Sequence, residues 1–262
     1  MRVILLRGLG RDQRHWQPLL EALKVEAPFL KIETPDLPGA GILYRNKSPL
    51  NLSDYIPYLE EQISDSSEAT ILVGLSLGGM IALEWGKQYP EKFATIVLIN
   101  SSSRLNFFYQ RLNIWQVFKH PSVVLNTTIR QTETAIYRLT CNSESDESVI
   151  DQWVEIQLDH PVRLANQARQ VYAASKFFPP APDLLPKIHI ISSKKDTLVS
   201  PTCSLKLSKY YDAKIDYHDW AGHDLPQDDP LWVARALEKI ALDSSSSNHF
   251  GFDIKSKTAE KF

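Results

Sequence analysis

The sequence predicts an α/β chain: a mostly parallel sheet wrapped by helices, with a helical cap inserted into it. Three observations carry this. Short apolar runs rich in β-branched residues alternate with helical spacing from residue 3 to 100. From about Arg104 to Phe178 only helical spacing is found. After Pro179-Pro180-Ala181-Pro182 the alternation returns. The composition agrees with a globular chain: 262 residues, 43% hydrophobic, 23% charged and a net charge of −2. It is too apolar for a mostly disordered chain. Its balanced charge leaves no footprint for general nucleic-acid binding, so no nucleic-acid partner is expected.

The elements follow in order. Val3-Ile4-Leu5-Leu6 is the first strand, ended by Gly8 and Gly10, and Trp16, Leu19, Leu20 and Leu23 then mark a helix. Lys31 to Pro35 reads as a second strand, closed by the turn-rich Asp36-Leu37-Pro38-Gly39-Ala40-Gly41. Ser53 is a plausible N-cap for a helix to about Ile63. Thr70-Ile71-Leu72-Val73 is apolar throughout, as expected of a strand buried on both faces, and helical spacing resumes at Met80, Leu83 and Trp85. Ala94 to Ile99 is another such strand. Helical patterns at Phe107 to Phe118, Thr132 to Leu139, Val149 to Leu158 and Val162 to Ala174 fill the insertion. Strands at Lys187 to Ile191 and Lys214 to His218 alternate with helices at Thr202 to Tyr210 and Leu231 to Leu242. The expected division is a core of 1–103 and 179–243, a cap of 104–178, and a flexible tail of 244–262 that opens with four serines.

The run Val3 to Leu6 is closed by Arg7, too short for a signal-peptide core. No apolar stretch approaches membrane-spanning length, so no membrane span is expected and the cytoplasm is the expected location. Cys141 and Cys203 form no Cys-x-x-Cys pair and read as free thiols in a reducing compartment. His, Cys, Asp and Glu show no ligand spacing, so neither a metal nor a cofactor is implied.

Gly74-Leu75-Ser76-Leu77-Gly78 fits Gly-x-Ser-x-Gly, in which a strand turns sharply into a helix with the serine at the apex. The glycines on either side let neighbouring backbone pack without Cβ clashes. The motif follows an apolar strand and opens a helix, which lifts it above a structural turn serine. A nucleophilic serine needs a base, and the base an orienter. Of seven histidines, His189 and His218 sit inside strands, His120 and His160 look like helix-end residues, and His249 is in the tail. His223 follows Ala221-Gly222 in the loop beyond the last strand, where sheet enzymes place reacting groups. Asp196 lies between Ser76 and His223 in chain order, again beyond a strand's carboxyl end, and is the expected orienter rather than a solvated carboxylate beside Lys194 and Lys195. Asp219, Asp224, Asp228 and Asp229 are alternatives near His223; Asp224 reads as a local turn or cap residue. The N–H of Leu77 and the N–H of Leu9, inside Gly8-Leu9-Gly10, are the candidate oxyanion donors. The competing reading of that loop is a tight strand-to-helix turn.

At these residues the chain resembles the α/β-hydrolase superfamily, and within it the small capped carboxylesterases. The carriers are Gly74 to Gly78, the order Ser76, Asp196, His223, the Asp36-x-x-Gly39-x-Gly41 turn and Ala221-Gly222-His223, across roughly 2–103 and 183–242. Arg7-Gly8 stands where that family often has His-Gly, which leaves the donors in place but changes what lines the site. The resemblance implies a serine hydrolase that cleaves carboxylic esters of small to medium apolar substrates through an acyl-enzyme. The same residues would serve a thioesterase, a lactonase or a C–C bond hydrolase; a non-catalytic ligand-binding member of the fold is the reading from another class.

The cap would set the substrate. Phe107, Phe108, Tyr109, Trp115, Phe118, Tyr137, Trp153, Tyr172 and Phe177 suggest an apolar pocket, against the plainer reading that each packs the cap on the core. Six cap arginines would suit an acidic acyl carrier protein. Eight basic residues face seven acids between 104 and 176, however, so solvated helix faces are favoured over that partner.

Overall fold

The computed structural model describes residues 1–123, 125 and 128–255, of which 245–255 by backbone alone. In chain order the elements are β1 (Arg2–Leu6), α1 (Gln17–Glu26), β2 (Lys31–Glu33), α2 (Ile56–Glu60), β3 (Thr70–Leu75), α3 (Leu77–Gln88) and β4 (Phe93–Ile99). There follow α4 (Phe108–Arg111), α5 (Ile114–Lys119), α6 (Ile129–Thr140), α7 (Glu147–Asp159) and α8 (Leu164–Lys176). Last come β5 (Lys187–Ser193), α9 (Pro201–Tyr211), β6 (Lys214–His218), α10 (Leu225–Asp228) and α11 (Pro230–Lys255).

The six strands form one sheet in the order β2-β1-β3-β4-β5-β6, and every pairing is parallel. Parallel strands need crossovers, and the helices that supply them cover both faces. Alternate residues along each strand therefore face two different layers. Ile4, Leu6, Leu72, Ile96 and Leu98 pack with α3 and with Tyr55, Ile56 and Leu59. Val3, Leu5, Ile71, Val73, Val97 and Ile99 pack with Leu19 and Leu23 of α1 and Val233, Ala234 and Leu237 of α11. The chain runs from β1 outward to β2, then returns past β1 to β3. This reversal opens a crevice between the carboxyl ends of β1 and β3, the place where open α/β sheets bind ligands.

Three expectations need correction. The second strand stops at Glu33, because Pro35 has no N–H for the ladder. The helix expected from Ser53 is a 3-10 turn, Leu52–Tyr55, followed by the five-residue α2, which takes Pro57 into its first turn where a missing N–H costs nothing. The tail expected from 244 does not begin there. Helix α11 runs on to Lys255, and Ser244 is buried, its hydroxyl bonded to the Ile240 carbonyl and to Thr95 Oγ1. Residues 256–262 lie outside the described residues. Among the described residues no helix is long and apolar enough to cross a membrane.

Candidate active site

Strand β3 delivers Ser76 into a left-handed backbone conformation, φ 55° and ψ −116°, and α3 starts at the next residue. A non-glycine residue there is strained, and the surroundings hold it. The Ser76 N–H donates to the Ile99 carbonyl at 2.9 Å, and Ser101 Oγ donates to the Ser76 carbonyl at 2.8 Å. The turn closes only because two side chains are missing. A Cβ on Gly74 would lie 2.4 Å from Gly78 backbone, and one on Gly78 would lie 2.3 Å from the Leu6 carbonyl oxygen. The β1 loop thus presses against the serine, with Gly8 facing Ser76 Cβ.

Asp196 and His223 arrive from the loops after β5 and β6. His223 Nδ1 and Asp196 Oδ2 are 2.7 Å apart, and both residues are buried. The other oxygen, Oδ1, accepts from the N–H groups of Leu198 (2.9 Å) and Val199 (2.8 Å), which fixes the carboxylate plane. With Nδ1 engaged, Nε2 is the ring nitrogen left for chemistry. Burial opposes a charge on His223, but the Asp196 carboxylate and its hydrogen bond outweigh burial and raise the imidazole above its ordinary pKa.

Ser76 and His223 share the wall of a cavity of about 350 Å³. No hydrogen bond joins Ser76 Oγ to the ring among the described residues, a contact that often tightens only around substrate. Leu9 and Leu77 line the same cavity. Leu77 is the first residue of α3, where an N–H has no partner within the helix. The remaining wall is mostly apolar and includes Leu75, Met80, Leu112, Ile136, Leu139, Val171 and Val199. Of the nine aromatics expected to shape the pocket, only Phe108 lines it. Tyr137, Trp153 and Phe177 are buried in packing, while Phe107, Tyr109, Trp115, Phe118 and Tyr172 are exposed.

The neighbouring carboxylates have other duties. Asp224 sits at the N-cap position of α10, and its carbonyl accepts from the N–H groups of Gln227 and Asp228, in keeping with a local turn or cap residue, but its side chain makes no cap. It meets Arg7 in a bidentate pair, Nη1–Oδ1 3.1 Å and Nη2–Oδ2 2.5 Å. A fully buried carboxylate is satisfied by a counter-charge better than by one turn N–H. Burial would raise the Asp224 pKa; Arg7 overrides it and holds it below the ordinary range. Asp228 accepts from the N–H groups of Asn142, Ser143 and Gly222, tying the helical insertion to the His223 loop. Asp219 pairs with Lys194, and Asp229 with His218. His189 pairs with Asp216. The side chain of His249 lies outside the described residues.

Several positioning residues had not been singled out. Asn100, at φ 46° just past β4, donates from Nδ2 to the His223 carbonyl at 2.9 Å and accepts from the Ser193 N–H at 2.8 Å. A polar residue at the carboxyl end of an apolar strand was the available signal. Two contacts from the insertion clamp the Gly8–Gly10 loop: Gln170 Oε1 accepts from the Gly10 N–H at 3.0 Å, and Glu133 pairs with Arg11 at 2.5 Å. Both cysteines are free and buried, and burial raises both thiols, Cys203 up to about 12, so neither is a reactive thiolate at neutral pH.

The sequence profile of the alpha/beta hydrolase family matches residues 3–236. Over 102 residues the chain is 31% identical to the pimeloyl-[acyl-carrier protein] methyl ester esterase of Wigglesworthia glossinidia brevipalpis, covering 38% of this chain and 36% of that one. It is 26% identical over 102 residues to the Vibrio campbellii esterase of the same name, covering 39% and 37%. The match spans little more than a third of either relative. Among solved structures, an esterase from Exiguobacterium antarcticum superposes with a TM-score of 0.75 at 14% identity, covering 92% of this chain and 91% of that one. A meta-cleavage product hydrolase from Pseudomonas fluorescens IP01 superposes with 0.71 at 17% identity, covering 95% and 91%. These two likenesses speak to fold, and the profile match over most of the chain shows the lineage: the chain belongs to the alpha/beta hydrolase family.

Proposed function

We propose that the protein is a serine hydrolase that cleaves carboxylic ester bonds of small to medium apolar substrates. The observation that carries this is the buried Asp196–His223 hydrogen bond at the rim of the cavity that also holds Ser76 at a strained strand-to-helix turn. Ser76 Oγ attacks the ester carbonyl while His223 Nε2 takes its proton. The N–H groups of Leu9 and Leu77 bind the oxyanion, and the alcohol leaves with the proton from His223. Water, activated by the same imidazole, then releases the acid from Ser76. Asp196 holds the tautomer and stabilises the imidazolium.

Residues 104–178 act as a cap over a core formed by 1–103 and 179–243. Phe108, Leu112, Leu139 and Val171 from that segment line the cavity, which supports the assignment. The apolar wall favours acyl groups without charge, and curated relatives named as esterases favour an ester over the other bonds this chemistry can open. The test is a p-nitrophenyl ester series of increasing chain length, run beside matched thioesters, lactones and β-diketones. Wild-type protein is expected to show its highest kcat/KM on esters, and Ser76→Ala to show none above background. Ester turnover retained by Ser76→Ala would sink the proposal.

A further inference from the structure

One stretch of surface departs from the rest. Among the described residues, 24 large hydrophobic side chains are exposed, and nine of them fall between Arg104 and Thr132. Phe107 (66%), Phe108 (72%), Trp115 (74%) and Phe118 (67%) are bared to a degree that packing among the described residues does not explain. Phe107 is the N-cap of α4, Phe108 lies on α4, and Trp115 and Phe118 lie on the consecutive short helix α5; the rings form two clusters. The Phe107 and Tyr109 rings stack at 5.7 Å, Phe108 meets Tyr109 edge-on at 5.8 Å, and Trp115 lies 6.1 Å from Phe118. The same edge opens on the cavity, because Phe108, Leu112 and Ile114 also line it.

The charge of this segment is as one-sided as its polarity. From Arg104 to Thr132 there are four basic residues and no Asp or Glu. Arg130 is spent on Glu147 and Asp151, and Arg111 turns inward to the carbonyls of Ala174 and Ser175. Arg104 and Lys119 remain exposed on the patch, and Lys206 of α9, also exposed, donates one ammonium N–H to the Leu105 carbonyl at 3.0 Å and lies 6.0 Å from the Phe107 ring.

We propose that the α4–α5 edge docks on an anionic lipid surface, with Phe107, Trp115 and Phe118 entering the headgroup boundary and Arg104, Lys119 and Lys206 facing the lipid phosphates. Aromatic side chains prefer that boundary, and cations beside them add attraction to anionic headgroups. A second copy of the chain is a poorer occupant. Two-fold pairing of this face would set its uncompensated cations against themselves. An acidic protein would satisfy the cations but not this much exposed aromatic surface. Docking aims the cavity mouth at the lipid, so the ester presented to it would be that of an amphiphile. That last step rests on the ester-hydrolase reading, whereas docking does not.

The experiment is vesicle co-sedimentation of the full Ser76→Ala chain, so that binding is read without turnover. Pelleting is expected with vesicles of phosphatidylcholine and phosphatidylglycerol. Little is expected with phosphatidylcholine alone, and raised salt should weaken binding. Adding Lys119→Gln should weaken partitioning on the order of fivefold. Adding Trp115→Ser and Phe118→Ser should weaken it by at least about tenfold, with an unchanged thermal transition. Brominated lipid should quench Ser76→Ala more than Ser76→Ala/Trp115→Phe. The proposal is overturned by absence of pelleting with anionic vesicles, or by undiminished pelleting of the triple variant. It is equally overturned if the patch residues are protected by self-association in sedimentation velocity, or bind an acidic carrier protein, while vesicles stay unbound. Vesicle binding by a chain that hydrolyses no ester would refute the proposed function and leave docking standing.

Discussion

Arg7 and Asp224 join the first strand to the histidine loop, and removing Arg7 should be among the costliest single changes in the protein. Both side chains are almost fully buried, and two nitrogen–oxygen contacts of 3.1 and 2.5 Å join them. The Arg7 guanidinium also lies 4.7 Å from the centre of the Trp16 ring. Arg7→Met keeps the apolar stem but strands a buried carboxylate beside His223. Breaking a buried pair from one side costs about 3–5 kcal/mol, and losing the contact with Trp16 adds about 1 kcal/mol. Domains are stable by only about 5–15 kcal/mol, so the variant should fold but melt far earlier. Arg7→Met/Asp224→Leu removes both charges and should recover most of the loss, because an apolar pair of similar volume often replaces a buried ion pair at little cost. Urea unfolding at neutral pH, read at constant m, measures the cycle. A loss below about 1 kcal/mol in Arg7→Met, or a double variant as unstable as the summed single changes, would refute the reasoning.

Other consequences can be checked alongside. In the proposed mechanism neutral His223 is the base, and its pKa is raised, so kcat/KM on an ester should rise with pH through an apparent value above 6.5; Asp196→Asn should move that limb to lower pH as well as slow the reaction. His15 is buried, and burial together with Arg11 pushes it down to about 4. The unfolded chain therefore takes up a proton first, and stability should fall as pH drops from about 6.5 toward 4, by at most roughly 3 kcal/mol; His15→Gln should flatten that part of the urea-derived profile. Gly78→Ala places a Cβ 2.3 Å from the Leu6 carbonyl oxygen, which can yield only by moving β1 and the loop after it. It should cost about 1–3 kcal/mol by thermal or urea unfolding and lower kcat on esters at least about tenfold.

Much of the fold was readable because both faces of the sheet are covered. Strands such as the one carrying Ile71-Leu72-Val73 must then be apolar on both sides, a pattern no surface strand needs. The turn at Ser76 was readable for a similar reason, since the close approach of β1 backbone leaves no room for a Cβ at position 78. Chain order pointed to Asp196 and His223 because loops beyond parallel strands open on one edge. What stayed hidden depends on partners distant in sequence. Asp224 looked like a local cap because its partner, Arg7, lies 217 positions away. Glu133 sits fully buried in α6 only because Arg11 meets it there, and no helical periodicity announces a buried carboxylate. The serines from 244 read as the start of a tail, yet Ser244 satisfies its hydroxyl inside the helix and packs on the sheet at Thr95.

The proposed nucleophile, Ser76, can be tested most directly by covalent capture. Folded wild-type protein incubated with a fluorophosphonate and mapped by peptide mass spectrometry should carry one adduct, on Ser76. Labelling should vanish in Ser76→Ala and slow by at least about a hundredfold in His223→Ala, in keeping with the loss of a general base. An unlabelled Ser76 in folded protein, or an adduct elsewhere with ester turnover intact in Ser76→Ala, would contradict the account.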